Sequence, residues 1–298
     1  MKYAIMGGAG NISKPLTKQL LSAGHVVTVI SRNEANLEEL IQLGAHPAIG
    51  SLEDVEFLKK AFAGADAVYT MCPTNMMASD LMEFYRTLGK NYSQAVEHSN
   101  VKYVVNLSSI GAHLEQGAGP VSGVHIVEQA LNNLKEVNIR HLRPAYFYYN
   151  LFSYIPLIKK AGIIGNNFCT AEKRFPMADI TDIAAVAAEE MKTLNFSGHS
   201  FRYIASDESD TDQIAKLVGK WIGKADLQWV TFTDEQALEG LLQAGLPKEI
   251  STHVVAMGNA MSSGKLFEDY WKHHPGRMGT VGLQNFMPAF TSAYNSKN

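Results

Sequence analysis

"MGGAGNIS", Met6 to Ser13, is the stretch whose reading decides the fold. It follows a short apolar run, "KYAIMG" (2–7), and precedes "ISKPLTKQLLSAG", whose apolar spacing is helical and closes at Gly24. A strand, a glycine turn and a helix therefore meet here. Gly7 and Gly10 give the spacing G-x-x-G, with Ser13 where a third glycine often stands. Glycine permits positive φ and lets a pyrophosphate approach the backbone. The N–H groups of Asn11 and Ile12, at the helix start, would face those phosphates. Alone, such a loop is a weak signal of dinucleotide binding. Its weight comes from its place in the first unit of an alternating chain. Ser13 is small, so close helix–strand packing remains feasible.

Outward from the loop the alternation continues. "HVVTVIS" (25–31) is a buried-strand pattern, "ANLEELIQLG" a helix and "HPAIGS" a weak strand. "DVEFLKKAFAG" is a helix opened by Asp54 and closed by Gly64, and "DAVYTMCP" is a strand ended by Pro73. A long helix covers roughly 79–98, a strand 102–110 and a helix 124–135. "IRHLRPA" is the sixth strand. These runs lack two-residue alternation, as strands covered on both faces do. The pattern predicts an α/β fold with a doubly wound parallel sheet of Rossmann type and right-handed crossovers.

After Pro144 the pattern changes. "AYFYYNLFSYI" is dense in aromatics, and "GIIGNNFCTAEKRF" reads as a loop with a short hairpin. Residues 179–194 form a strong helix, "FRYIAS" a strand, and further helices follow near 210–222, 234–244 and 247–263. We expect residues 1–150 to form the dinucleotide domain, with 175–206 rejoining it. Residues 151–298 supply a smaller, mostly helical and discontinuous substrate lobe.

The second strand sharpens the ligand. A site selective for NAD carries an acid near that strand's end to hold the ribose 2′-OH. No acid occurs between Gly7 and Ile30, and the strand runs into Ser31, Arg32 and Asn33. Arginine is a permanently charged planar donor suited to a 2′-phosphate. The expected coenzyme is NADP(H) in preference to NAD(H). Ligands sit outside the carboxyl ends of the strands. Ser51 and Leu52 are therefore expected to border adenine, and Met71, Cys72 and Pro73 the nicotinamide ribose. With no base beside it in the sequence, Cys72 reads as an apolar wall rather than a nucleophile.

Totals exclude several classes. The chain has 298 residues, 46% hydrophobic and 18% charged, with net charge −3. That is enough apolar material for a sizeable core, and it gives no electrostatic case for nucleic acid or an anionic membrane. Cys72 and Cys169 make neither a disulfide framework nor a zinc spacing. The first apolar run is too short for a signal-peptide core, and no stretch approaches a membrane span. A cytoplasmic protein is expected.

"GGAGNIS", "SRN", "GAD", "NLSS", "LRPAYFYYN", "FPMADITDIAAVAAEEM" and "PGRMGTVGLQNF", in this order and spacing, resemble NmrA-like proteins, atypical members of the short-chain dehydrogenase/reductase superfamily. The resemblance covers nearly the whole chain. It rests on the succession of segments rather than on any one motif. Relatives include bacterial NADPH-dependent quinone reductase-like enzymes, isoflavone reductase-like plant enzymes and regulators that bind NADP without turning it over.

The superfamily's hydride-transfer enzymes use Ser, Tyr and Lys, with Tyr-x-x-x-Lys on the helix after the fifth strand. The lysine lowers the tyrosine pKa, and the tyrosine transfers the proton. Here Val121 falls at the tyrosine and His125 at the lysine. Valine transfers no proton, so the usual mechanism is absent. The resemblance implies His125 as nicotinamide-ribose contact or proton donor; a histidine bonded within a helix–sheet interface is the alternative. Ser108 takes the place of the superfamily's serine, or, with Ser109, serves as a turn residue. Glu128, at i+3 from His125, would orient the imidazole or form a surface pair. Pro144, Tyr146 and Phe147 are assigned to the coenzyme. Tyr148, Tyr149 and Phe152 are assigned to the floor of a site for a flat ring.

The remaining candidates have plainer readings. Asp179 and Asp182 sit at a helix start and read as caps rather than metal ligands. His273 and His274 are adjacent, which is not a zinc spacing. Trp221 and Trp229 read as packing for the second lobe. No metal site is expected.

Two classes of function stay open. One is an NADPH-dependent oxidoreductase for a small, flat, conjugated substrate such as a quinone, with the proton from water or His125. The other is a catalytically silent NADP(H)-binding redox sensor that acts through a protein partner. No element that would read nucleic acid is present in the pattern.

Overall fold

Strand and helix alternate from the amino terminus: β1 (Lys2–Met6), α1 (Ser13–Ser22), β2 (Val26–Ser31), α2 (Glu38–Gln42), β3 (His46–Ile49), α3 (Val55–Phe62), β4 (Ala67–Met71), α4 (Leu81–Ser99), β5 (Tyr103–Leu107), α5 (Pro120–Asn132) and β6 (Asn138–Pro144). Then come β7 (Tyr146–Phe147), α6 (Ile155–Ala161), β8 (Ile164–Asn166), β9 (Phe175–Ala178), α7 (Ile180–Thr193), β10 (His199–Ile204) and β11 (Asp207–Ser209). The chain ends with α8 (Thr211–Ile222), β12 (Trp229–Thr231), α9 (Asp234–Gln243), α10 (Lys248–Ser262), α11 (Glu268–Lys272) and α12 (Leu283–Asn295). The computed structural model describes residues 1–171 and 173–296. No described helix is long and apolar enough to cross a membrane.

Seven strands form one parallel sheet in the order β10-β6-β5-β4-β1-β2-β3. The order reverses between β1 and β4, and a crevice opens there at the carboxyl ends. Separate apolar clusters cover the two faces. Tyr3, Ile5, Val27 and Val29 point into one, and Ala4, Met6, Ile30 and Val68 into the other. This two-sided burial explains why the strands read as continuous apolar runs.

β10 rejoins the main sheet beside β6, as the sequence pattern led us to expect. The stretch before it behaves differently. β9 lies in a three-stranded sheet with β7 and β11, and β8 pairs with β12. There is no hairpin between β8 and β9, because each finds its partner in a distant segment. Trp229 packs against Phe168 and Tyr154, whereas Trp221 is exposed and does little packing.

Helix starts explain four of the carboxylates. Asp54, Asp80, Asp179 and Asp210 each accept a hydrogen bond from a backbone N–H in the first turn of α3, α4, α7 and α8. Asp182 does something else. It accepts bonds from Ser206 Oγ at 2.6 Å and from the Thr280 and Val281 N–H groups, both at 3.0 Å. It thereby ties the loop before α12 to α7. Burial works against that charge, but these donors outweigh it and hold the carboxyl below its ordinary range.

Candidate coenzyme site

β1 ends against the glycine loop. Gly7 has φ +88° and Gly8 φ +44°, in the left-handed region that favours glycine. A Cβ on Gly7 would stand 2.6 Å from Ser13 Oγ, and one on Gly8 would meet the Ser31 side chain at 3.0 Å. Gly10 has no positive φ, contrary to the use of glycine inferred from the sequence. Its constraint is space: a Cβ there would lie 3.0 Å from the Gly7 carbonyl, which accepts the Gly10 N–H at 2.8 Å. Ser13 also earns a specific role. It is buried, and its Oγ donates to the Met6 carbonyl at 2.8 Å, fastening α1 to the end of β1.

No side chain caps α1, and its first turn carries no acid. Among the described residues, the N–H groups of Asn11 and Ile12 meet no protein acceptor. They concentrate the positive end of the helix dipole at the loop.

From this loop a cleft of about 670 Å³ extends over the ends of β1 to β4. Its lining includes Gly7, Ser31, Arg32, Asn33, Ser51, Leu52, Met71 and Pro73, eight residues assigned from the sequence. Ser31 Oγ donates to the Asn33 carbonyl, and Asn33 Oδ1 accepts from the Ala35 N–H, so this corner is locally braced. Arg32 makes no ion pair among the described residues. Sequence reasoning missed Gly8, and it missed Asn36, Glu53, Phe84 and Leu88 in the lining. The i, i+4 pair Phe84 and Leu88 on the long amphipathic α4 was the available signal.

Cys72 does not line the cleft. It packs into the cluster beneath the sheet with Tyr85 and Tyr92, and burial with the nearby Glu128 charge pushes its thiol up to about 12.

The other end of the proposed site departs more from expectation. Ser108 is buried and donates its hydroxyl proton to Glu128 Oε1 at 2.5 Å. Glu128 neither orients His125 nor sits at the surface. It is buried and held by Arg143 through two bonds, Nε at 3.0 Å and Nη2 at 2.6 Å. Arg143 reaches on to Asp269 at 3.2 Å and lies over the Phe201 ring at 4.3 Å. Burial alone would raise the Glu128 carboxyl, but Arg143 and the local field hold it below its ordinary range. This network joins β5, α5 and β6 to α11.

His125 is half-buried, and its Nδ1 lies 2.8 Å from the Ala112 carbonyl. A carbonyl only accepts, so Nδ1 carries the proton and Nε2 of the neutral ring is an acceptor. The neutral imidazole therefore has no Nε2 proton to give. Val121 is buried beside Leu266 and Gly111, with no ionisable side chain in the tyrosine's place.

The aromatics after β6 are largely packing. Tyr148 is buried and donates to the Val281 carbonyl at 3.0 Å. Phe152 stacks on Phe290 at 6.0 Å and contacts Phe286, while Tyr149 is exposed. Tyr146 meets Phe168 and Phe175 edge-on, and its hydroxyl lies 3.2 Å from that of Tyr154. Phe147 is partly buried against the same core, and Pro144 pairs with Ile204 at the end of β6. Tyr149 meets Phe152 edge-on at 5.1 Å, and Tyr148 and Phe152 both contact Phe286. α12, more than 130 residues further along the chain, takes Tyr148 and Phe152 into its packing.

A glycine loop on an uncapped helix, at the switch point of a parallel sheet, defines a nucleotide-binding protein of Rossmann type. The chain belongs to the NAD(P)H-binding family, whose sequence pattern matches residues 7–192. An uncharacterized protein of Schizosaccharomyces pombe is 26% identical over 80% of this chain and 85% of its own length. Among solved structures, the NADPH-dependent quinone oxidoreductase of Escherichia coli, complexed with NADPH, superposes with a TM-score of 0.79. It covers 96% of this chain and 99% of its own at 19% identity. NmrA, a negative transcriptional regulator in complex with NAD, gives 0.74 over 99% and 98% at 13% identity. Both likenesses are of fold.

Proposed function

We propose that the protein is an NADPH-dependent oxidoreductase acting on a small, flat, conjugated substrate such as a quinone. The observation that carries the reading is the charge at the adenosine end of the cleft. Arg32 lines it at the end of β2, a strand without an acid. A guanidinium there favours a 2′-phosphate over a 2′-hydroxyl. The fit is supported by the glycine loop, where a side chain on Gly7 or Gly8 would collide with Ser13 or Ser31 and distort the loop. The E. coli neighbour's quinone activity belongs to that protein, and its likeness at 19% identity supports the fold.

Bound NADPH would supply the hydride. The chain's residues supply the rest. The Asn11 and Ile12 N–H groups hold the pyrophosphate, and Arg32 the 2′-phosphate. His125 Nε2, with its tautomer fixed by Ala112, accepts a hydrogen bond from a ribose hydroxyl. The proton comes from water. Quinone reduction tolerates this, because negative charge spreads over the ring oxygens before protonation. Purified protein mixed with NADPH and a panel of quinones tests the reading, followed by loss of NADPH absorbance. Turnover with at least one quinone is expected.

A second reading, a silent NADP(H)-binding sensor with a protein partner, is favoured by Val121 and by Ser108, whose proton is engaged by Glu128. Tight NADPH binding without turnover across the panel would select it.

A further inference from the structure

α4 runs beside the cleft, and Phe84, Leu88 and Asn91 follow the i, i+4, i+7 spacing of one helical stripe. Phe84 and Leu88 line the cleft directly. Asn91 is an amide in that otherwise apolar stripe, only 7% exposed, and a buried amide needs partners. It finds them in the loop after β3. Its Nδ2 donates to the Glu53 carbonyl at 2.8 Å and to the Leu52 carbonyl at 3.3 Å. The next residue, Tyr92, donates from its hydroxyl to the Met71 carbonyl at 2.9 Å. Neighbouring side chains of α4 thus hold two separate walls of the cleft, one after β3 and one at the end of β4.

The loop's other hydrogen bonds are short-range or reach back to β2. Gly50 N–H donates to the Ser31 carbonyl, Asp54 N–H to the Ser51 carbonyl and Glu53 N–H to Ser51 Oγ. With the Leu52 and Glu53 carbonyls taken by Asn91, the Leu52 N–H meets no acceptor among the described residues. It stands as a backbone donor in a wall of the cleft.

We propose that Asn91 is the positioning residue of the adenine-reading wall. It fixes the Leu52 peptide so that its N–H meets an acceptor nitrogen of the adenine ring. The inference rests on the reading of the cleft as the NADPH site. Asn91 acts through Leu52 and Glu53 rather than by touching the coenzyme.

The test uses calorimetric titration with 2′,5′-ADP, the adenosine half of the coenzyme, and hydrogen–deuterium exchange on the same samples. In the unaltered protein, 2′,5′-ADP should slow exchange at the Leu52 amide. Asn91→Leu and Asn91→Asp both remove the donor, and each should weaken 2′,5′-ADP by about tenfold or more, the scale of two lost buried hydrogen bonds. They should also abolish the protection at Leu52. A purely structural role predicts faster exchange along α4 with the ligand-induced protection of Leu52 intact, and that pattern overturns the proposal. Equal affinity of both variants for 2′,5′-ADP overturns it as well. Should neither variant fold, absence of protection at Leu52 in the unaltered protein decides against it, and its presence supports it. Failure of the unaltered protein to bind 2′,5′-ADP or NADPH at all is a distinct result, which removes the coenzyme reading itself.

Discussion

Replacing His141 with glutamine should make the protein less sensitive to mild acid. His141 lies in β6, buried in a ladder that crosses the sheet. Thr70 Oγ1 donates to Asn106 Oδ1 at 2.9 Å, and Asn106 Nδ2 lies 3.0 Å from His141 Nδ1. His141 Nε2 lies 3.0 Å from Asn132 Oδ1 on α5. The bonds are mutually consistent only with a neutral ring protonated at Nε2. Burial drives the imidazole pKa from 6.5 down to about 4; Glu128 opposes this and Arg143 adds to it. A depressed folded pKa means that the unfolded chain takes the proton first. The stability is fully present above pH 6.5 and is lost as pH falls towards 4. From pH 7 to pH 5 this one group withdraws about 2 kcal/mol. Glutamine can still accept from Asn106 and donate to Asn132, and it does not titrate. Urea unfolding at both pH values, for both proteins, gives the double difference. The unaltered protein should lose about 2 kcal/mol more than His141→Gln. Losses equal within about 0.5 kcal/mol, well inside that linkage figure, would refute the neutral buried imidazole.

Other perturbations address the site and its frame. Arg32→Ala should weaken NADPH by about ten- to a hundredfold, as expected for lost charge-assisted hydrogen bonds, and leave NADH nearly unchanged in a fluorescence titration. A parallel loss for both coenzymes would show that Arg32 is not reading the 2′ position. Gly7→Ala combines a positive φ with a Cβ 2.6 Å from Ser13 Oγ, so NADPH binding measured by calorimetry should fall far more than in Ser13→Ala. Glu128→Leu strands the buried Arg143 guanidinium and should cost about 3 to 5 kcal/mol in chemical denaturation. A cost below about 1 kcal/mol, the scale of an exposed pair, would mean that Asp269 alone suffices for Arg143.

What could be read from the sequence was what depends on near neighbours. The strand, turn and helix around Gly7 announce themselves within one window. So does the missing acid on β2, because coenzyme selectivity is written at one strand end. Glu128 shows the limit. At i+3 from His125 it invites a local pairing, yet its partner is Arg143, which only the sheet brings near. Tyr148 and Phe152 likewise have partners that no local window shows. Their aromatic density suggested a substrate floor, but Phe286, Phe290 and the Val281 carbonyl claim them from the far end of the chain. Asp182 lay beside a true cap, Asp179, and nothing local says that it binds Thr280 instead. The bonds from Asn91 to the Leu52 and Glu53 carbonyls went unread, although a polar residue within an apolar helical stripe is a visible sign.

The vacant tyrosine position belongs to the same long-range class. Gly111 has φ +81°, and a Cβ there would overlap Leu266 and lie 3.2 Å from Val121. Leu266 comes from the segment between α10 and α11, so that segment packs against Gly111 close to Val121. Val121 is buried in this core, and overpacking a closed core costs about 1 to 3 kcal/mol, so a phenol ring at position 121 should destabilise the fold. A tyrosine could therefore not be restored there as a simple one-residue change. On the proposed reading, reduction would rely on placement of the coenzyme, with no tyrosine at position 121 to supply the proton.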